Sequence, residues 1–561
     1  MVFNLTDVTQ KIQALERLYR RAEELSSQNI EKFRLAEYYY NYGVKQARQD
    51  AESRHFTPPA ETKIKDSFPA DAASKLAGAL MGMTFNAEQT WAEWGKEDPD
   101  STTPAEQRYL QKITRKTLRY LLRPEVAFYR ALQPAFLDFV IGEGIIFAEE
   151  TPFRGKPLLR FQSIPASSVT LLNDEYGFPN TAFRVIRMTR HQIKEKWPKA
   201  AYPESWNGQI QNETKVLSVV HAVVPRNGYE EEISRKKAVK DKAYGSVYYV
   251  KDEPNLILEE SGYDEFPYIV FQFQRRTNSI RGEGPGLFAL PLVEELSRAS
   301  SDTSGARQLT SVPPMLEEEG AFGDLLNLRA LARNSMRPGI SDVPIRPLFP
   351  SGSIDSRPGQ EQILYLHEQI GRIFYLDRLS IPEKRAEMRE AEVFARQEEN
   401  LRELAPVLSN LHYLAFEVFN RVLKFLKRYE NKNNQLQPPG DLKEGISFTS
   451  PLARAQRIAE VQSMRSWLIQ FVQPLAQFDQ EGRVLLKLNL DDIFQDTAKA
   501  FNIRTENLRS DEEVQGIIEQ RQQQELQAQQ TQAQAQLLSA QSQGVRDVAA
   551  AEADLRRTGG L

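Results

Sequence analysis

Chemistry in this chain would have to start from its five histidines, His55, His191, His221, His367 and His412, because there is no cysteine. Without thiols there are no disulfides, thiolate zinc sites, iron–sulfur clusters or cysteine nucleophiles. The histidines are scattered, with no pair at metal-ligand spacing. His367-Glu368 opens like a zinc-protease helix, but Gly371 stands where the second ligand is required. Asp491, Asp492 and Asp496 could bind a divalent cation, but heading a helix they read more readily as caps, where free N–H groups favour negative charge. A hydrolase built on these carboxylates is the remaining enzyme reading.

Phosphate-cradling loops are also missing. Gly95-Lys96 and Gly155-Lys156 are followed by Glu and Pro, not by the Ser or Thr that a nucleotide-binding loop needs. Gly282, Gly284 and Gly286 have a dinucleotide-like spacing, but Pro285 removes one of the N–H groups such a loop uses, and no strand–helix–strand unit surrounds it. The run reads instead as a backbone hinge between a sheet and a helix. No nucleophile elbow is present. The expectation is a protein that is not an enzyme and needs no metal or cofactor.

The surrounding elements change period along the chain. Residues 5–42 read as an amphipathic helix with Leu15, Leu18, Tyr19 and Ala22 on one face. Further helices are expected at 69–82, N-capped by Ser67, at 106–122 and at 124–141. From 144 to about 273 the sequence alternates in short β-rich runs with one small helix at 191–197, which predicts an antiparallel β region. A basic loop, Arg235 to Lys242, interrupts it. Helix returns from Pro291 to about Leu309 and carries the small polar run 300–305. The stretch 313–377 is rich in Pro and Gly, with only a short helix expected near 324–333. A long helix follows over 382–428 with a kink at Pro406, then a strand at 446–449 and a helix at 451–475. The Gln-rich tail 511–540 reads as a helix needing neighbours, or as disorder.

Composition sets the outer limits. The chain has 561 residues, 72 basic against 76 acidic, and a net charge of −4, with 40% hydrophobic and 26% charged residues. That is the make-up of a multidomain globular protein, not of a simple basic nucleic-acid binder. The N-terminus lacks a secretory apolar core and no apolar run reaches 18 residues, so the protein is expected to be soluble and free of membrane.

Several blocks, in order, are similar to the portal protein, or head-to-tail connector, of short-tailed bacteriophages. They are 66–85; 159–189, with its Arg160-Phe161 and Ile164-Pro165 pairs; and 268–296, a strand, a glycine-rich turn and the first stem helix. Pro313-Pro314-Met315-Leu316 and Arg337-Pro338-Gly339 resemble the start of the clip, residues 391–411 the second stem helix, and Ser450 to Gln456 a family signature. The tail after Arg509 is unmatched.

The resemblance implies an α+β portal fold: an α/β wing, a two-helix stem, a small α/β clip, a helical crown and a C-terminal helix, assembled as a ring. On this chain it gives 1–286 as N-terminal wing, 287–311 as first stem helix, 312–378 as clip and 379–404 as second stem helix. It continues with 405–475 as wing helix, loop and strand, 476–510 as crown, and 511–561 as C-terminal helix, barrel or disordered tail. It also implies a homo-dodecamer at one capsid vertex of the virion, assembled in the host bacterial cytoplasm, with double-stranded DNA in its channel. Implied partners are the major capsid protein and scaffold, the large terminase, which carries the ATPase, then tail adaptor or nozzle proteins, and internal core or ejection proteins at the crown. Twelve copies would carry −48, fitting a tunnel that must not grip phosphates.

Arg385, Arg389, Arg396 and Arg402 are the channel candidates, read either as rings facing DNA or as partners of Glu294, Glu295 and Glu392 across subunits. Pro313, Pro314, Arg337, Phe349 and Phe374 are the clip docking candidates, with buried clip core as the other reading of the two phenylalanines. The run 300–305 reads as a smooth channel face or as plain close helix packing. From another class, a self-assembling cytoplasmic scaffold or adaptor without a DNA role uses the same helices.

Overall fold

The structure is a computed structural model. It describes residues 8–40, 66–96, 104–206, 215–226, 242–251, 253, 255–275, 279–311, 315–317, 345–347, 357–379, 390–430 and 444–448, with isolated positions and the helical stretch 514–524 beyond. The chain forms two compact units, Met1–Ala453 and Arg454–Leu561; in the second, 514–524 is helical.

α1 (Val8–Tyr40) buries Ile12, Leu15, Tyr19 and Ala22 while Arg17, Arg20, Glu23 and Glu24 stay exposed. α2 (Phe68–Thr84) has Pro in its first turn, where a missing N–H costs nothing. Ser67 makes no side-chain cap; the neighbouring Asp66 does that work, its Oδ1 accepting from the Phe68 N–H at 2.9 Å. β1 (Ala92–Lys96) follows, then α3 (Pro104–Leu121) and α4 (Phe128–Ile141). α4 starts later than Pro124 because the chain first makes a turn that ends with Ala127 in left-handed backbone (φ 58).

β2 (Glu143–Phe153) and β3 (Lys156–Ile164) form a hairpin. β4 (Val169–Asn173), β5 (Pro179–Thr189), the capped helix α5 (Arg190–Lys196), β6 (Val216–Pro225), β7 (Tyr244–Val250) and β8 (Ile257–Tyr263) come next. β9 (Tyr268–Gln272) then returns to pair with β2. The result is a three-stranded sheet, β3-β2-β9, and a five-stranded antiparallel meander, β4-β5-β6-β7-β8. The meander is covered on both faces. α1 packs on one with Phe183, Val220 and Tyr249, and Ile193, Trp197 and Trp206 cover the other.

β10 (Gln274–Arg275) and β11 (Gly282–Glu283) lead into α6 (Pro285–Ser311), which starts six residues before Pro291. β12 (Met315–Glu317) pairs with β13 (Ile345–Pro347). α7 (Arg357–Ile373) lies within, and the short α8 (Leu376–Leu379) begins within, a stretch expected to hold one short helix elsewhere, and the expected 324–333 falls outside the described residues. α9 (Glu390–Phe425), a π turn (Leu426–Glu430) and β14 (Glu444–Phe448) complete the unit, with β14 antiparallel to β1. The largest core joins Phe128, Phe136 and Phe139 of α4 to Phe271 of β9 and to Leu411, Leu414, Val418 and Phe419 of α9. Each such fully buried side chain contributes about 1.5–3 kcal/mol. Among the described residues no helix is long and apolar enough to cross a membrane.

Candidate functional site

The joint between the sheets and α6 is built around two buried charges. Glu143 opens β2 and is fully buried; Arg281 precedes β11 and is 1% exposed. Arg281 Nη1 donates to Glu143 Oε1 and to the Ala166 carbonyl at 2.8 Å, and Nη2 donates to the Val169 carbonyl. The other carboxylate oxygen accepts from the Gly282 N–H at 3.1 Å and from Gln272 Nε2 at 3.4 Å. A buried ion pair is favoured when its remaining donors and acceptors are also matched. Here Arg281 Nε is left without a hydrogen-bond partner, while the other bonds of the pair tie together β2, β4, β9 and the lead into α6.

Gly282 lies in β11, Gly284 between β11 and α6, and Gly286 in the first turn of α6. None has positive φ. Their use is close approach: a Cβ on Gly282 would come under 3.0 Å from the Gly142 carbonyl, and one on Gly284 would meet the Val140 carbonyl at 2.6 Å. Tyr40 adds a bond from its hydroxyl to the Gly286 carbonyl at 2.7 Å, and burial raises its phenol pKa well above the ordinary value. Together the Arg281–Glu143 pair and the close approach of the three glycines to residues 140–142 clamp the start of α6 against the end of α4 and the start of β2.

α7 is the helix that runs along α6. Thr303, in the small polar run, is buried and packs on Gly359, where any side chain would overlap its hydroxyl. Gln362 Nε2 donates to Glu295 Oε1 at 3.0 Å. Thr303 of this run therefore serves close helix packing within one chain, while Ser304 beside it is exposed. His367 bonds Asp66 through Nε2 at 2.8 Å and stacks on Phe68, and Glu368 pairs with Arg372, so the apparent zinc-site fragment fastens α7 to α2. Phe374 is fully buried, with its ring 5.6 Å from that of Tyr40. It is a main-core side chain and not an exposed docking anchor, because the turn after α7 drives it inward against α1.

The other candidates divide simply. Arg396 and Arg402 lie on α9 with side chains outside the described ones. Arg385, Arg389, Pro313, Pro314, Arg337, Phe349, His55 and the Asp491, Asp492 and Asp496 group lie outside the described residues, as does most of the basic loop. Lys242, at its end, donates to the Gly262 carbonyl at 3.1 Å.

The sequence reading passed over the setting of His221. Its Nδ1 lies 2.8 Å from the Tyr268 hydroxyl, its Nε2 lies 2.9 Å from Ser246 Oγ, and it stacks on Tyr248 at 4.0 Å. A serine within reach of a histidine is the geometry of an activated nucleophile. Here Ser246 and His221 are both fully buried and Tyr268 is 2% exposed, so no substrate reaches them. Burial, then the charges of Arg184 and Lys196, hold the imidazole pKa well below its ordinary value. The neutral ring joins the five-stranded sheet to the three-stranded one. Only the partners show this, since a single histidine in an apolar run carries no sequence signal.

The model of the bacteriophage head to tail connecting protein family matches residues 12–508. The probable portal protein of Bordetella phage BPP-1 is 24% identical over 448 residues, covering 75% of this chain and 74% of that protein. The matched span begins at Ile12, the first buried apolar residue of α1, and takes in both sheets, the clamp, α6, α7, α9 and β14. On a match of that extent, the chain belongs to the bacteriophage head-to-tail connecting protein family, the portal proteins.

Proposed function

We propose that the chain builds a dodecameric portal ring at one capsid vertex of a short-tailed phage, through which double-stranded DNA is packaged and later ejected. The family match over 12–508 carries this reading. Membership places the protein at the head–tail junction of the virion; the copy number, the DNA traffic and the named partners are our extension. The ring is assembled in the host cytoplasm with the major capsid protein and scaffold. The clip takes the terminase during packaging and the tail adaptor afterwards, and the crown meets internal core or ejection proteins.

The physical chemistry is consistent with a conduit. The chain carries no phosphate-binding loop, so the ATPase belongs to a partner. Each phosphate neutralised adds affinity through counterion release, and a channel that binds tightly stalls. A net charge of −4 per chain opposes gripping. Arg385, Arg389, Arg396 and Arg402 of the second stem helix and its continuation are the groups to meet phosphates, or to pair with acidic residues of the next subunit. Pro313, Pro314, Arg337 and Phe349 mark the clip docking surface. The clamp at Arg281 fixes the start of the first stem helix to the wing sheets, which suits a ring under load.

Disrupting the gene in the phage genome tests the role. Heads assembled without DNA, restored to full heads by the gene in trans, are expected. Normally filled heads without this chain would overturn the reading.

A further inference from the structure

α3 presents a row of charge that the clamp and the channel candidates do not use. Arg108, Lys112, Arg115 and Arg119 are all exposed. Steps of four, three and four residues put them on one side of the helix, about 16 Å from first to last. Like charges at this spacing destabilise a helix by about 0.2–0.5 kcal/mol per pair, so helix stability gives no reason for the row. The single acid of α3, Glu106, lies away from it, with its carboxylate 3.3 Å from Lys96 Nζ.

The opposite side holds the row firmly. Tyr109, Leu110, Ile113, Thr117 and Tyr120 are buried, and the Tyr120 hydroxyl accepts from the Leu159 N–H at 2.9 Å. Past the helix end, Arg123 lies over the Tyr120 ring at 4.9 Å. Exposed Arg160 continues the band on β3, its Nε donating to the Glu125 carbonyl at 3.2 Å.

We propose that this face of α3 binds the phosphodiester backbone of double-stranded DNA outside the channel. The inference rests on reading the chain as a protein that meets DNA, and adds a second contact surface to it. Two observations favour DNA over an acidic protein. The row is cationic throughout, whereas the cores of protein interfaces are depleted of charge and centred on aromatic or apolar anchors. Among the described residues of α3 and the turn after it, Leu122 is the one large exposed apolar side chain. Cations one helical turn apart also meet a regular line of phosphates without reading bases, which is sequence-independent backbone contact.

The test uses the assembled full-length protein and relaxed closed-circular duplex DNA, which has no end to enter a channel. The wild type is expected to bind the circle with affinity that falls steeply as salt rises. In the quadruple variant R108Q/K112Q/R115Q/R119Q, binding at about 100 mM salt should drop by at least about tenfold, and the slope of log K against log salt should become shallower by about 3–4, at roughly 0.9 per phosphate contact. Assembly mass should be unchanged, and R108K/R115K/R119K should keep binding. No binding of the circle by the wild type, or an unchanged slope in the variant, would overturn the inference. Loss of poly-glutamate binding alone would assign the face to an acidic protein, and failure of the variant to assemble would assign it to a neighbouring copy; either result rejects DNA. A wild type that forms no ring counts against the portal reading, whereas a ring indifferent to circular DNA counts against this inference alone.

Discussion

Arg281 at the lead into α6 and the arginines of α3 carry the same guanidinium in opposite surroundings. Arg281 is 1% exposed and bound to a carboxylate and two carbonyls, so its charge fixes a geometry inside the chain. Arg108, Arg115 and Arg119 face solvent in a like-charged row, where they contribute nothing comparable to folding. Removing a buried partner strands a charge in a low-dielectric interior; removing an exposed one leaves water in its place. The contrast separates a charge that fixes the geometry of the chain's interior from charges on its solvent-exposed face.

Arg281→Met should have the largest effect. Leaving Glu143 buried and unpaired costs about 3–5 kcal/mol, and adding Glu143→Gln should recover part of it. Denaturant midpoints of the single and double variants check both claims, and equal loss in the two would break the clamp account. Gly282→Ala comes next, at about 1–3 kcal/mol, because its methyl would press on the Gly142 carbonyl.

His221 adds a pH dependence of known sign. Its folded pKa is depressed while the unfolded chain titrates near 6.5, so the unfolded state binds more protons below that pH. Stability from this group is complete above about 6.5 and falls below it, by up to about 1.4 kcal/mol per pH unit, until the folded pKa is reached. Nearby Arg184 and Lys196 reinforce the effect by opposing the charged form. Unfolding measured from pH 8 to 5 should lose this slope in His221→Gln. The smallest change is expected for Lys112→Gln, within about 0.5 kcal/mol of wild type in the same denaturation assay.

Much of the fold was legible because its signals are local. The alternation of β2 through β7 and β9, the stripe of α1 and the glycine run before α6 all follow from spacing within one element. α7 was hidden by Pro358 and Gly359, which read as loop although proline favours a first helical turn. β8 was missed because Glu259, Glu260 and Gly262 mask its alternation. The site was less readable. Arg281 and Glu143 stand 138 residues apart and look ordinary until the chain brings them together. Phe374 looked available because nothing local shows that Tyr40 will cover it. The row on α3 was present in the spacing, but it becomes informative only once the opposite face is known to be buried.

The central claim is that this chain assembles as a portal ring, and native mass determination with negative-stain microscopy of the purified protein tests it most directly. The account predicts rings with a central hole and twelve copies of a 64.2 kDa chain, about 770 kDa in all. A monomer or small oligomer under every condition, with no ring in the images, would contradict it.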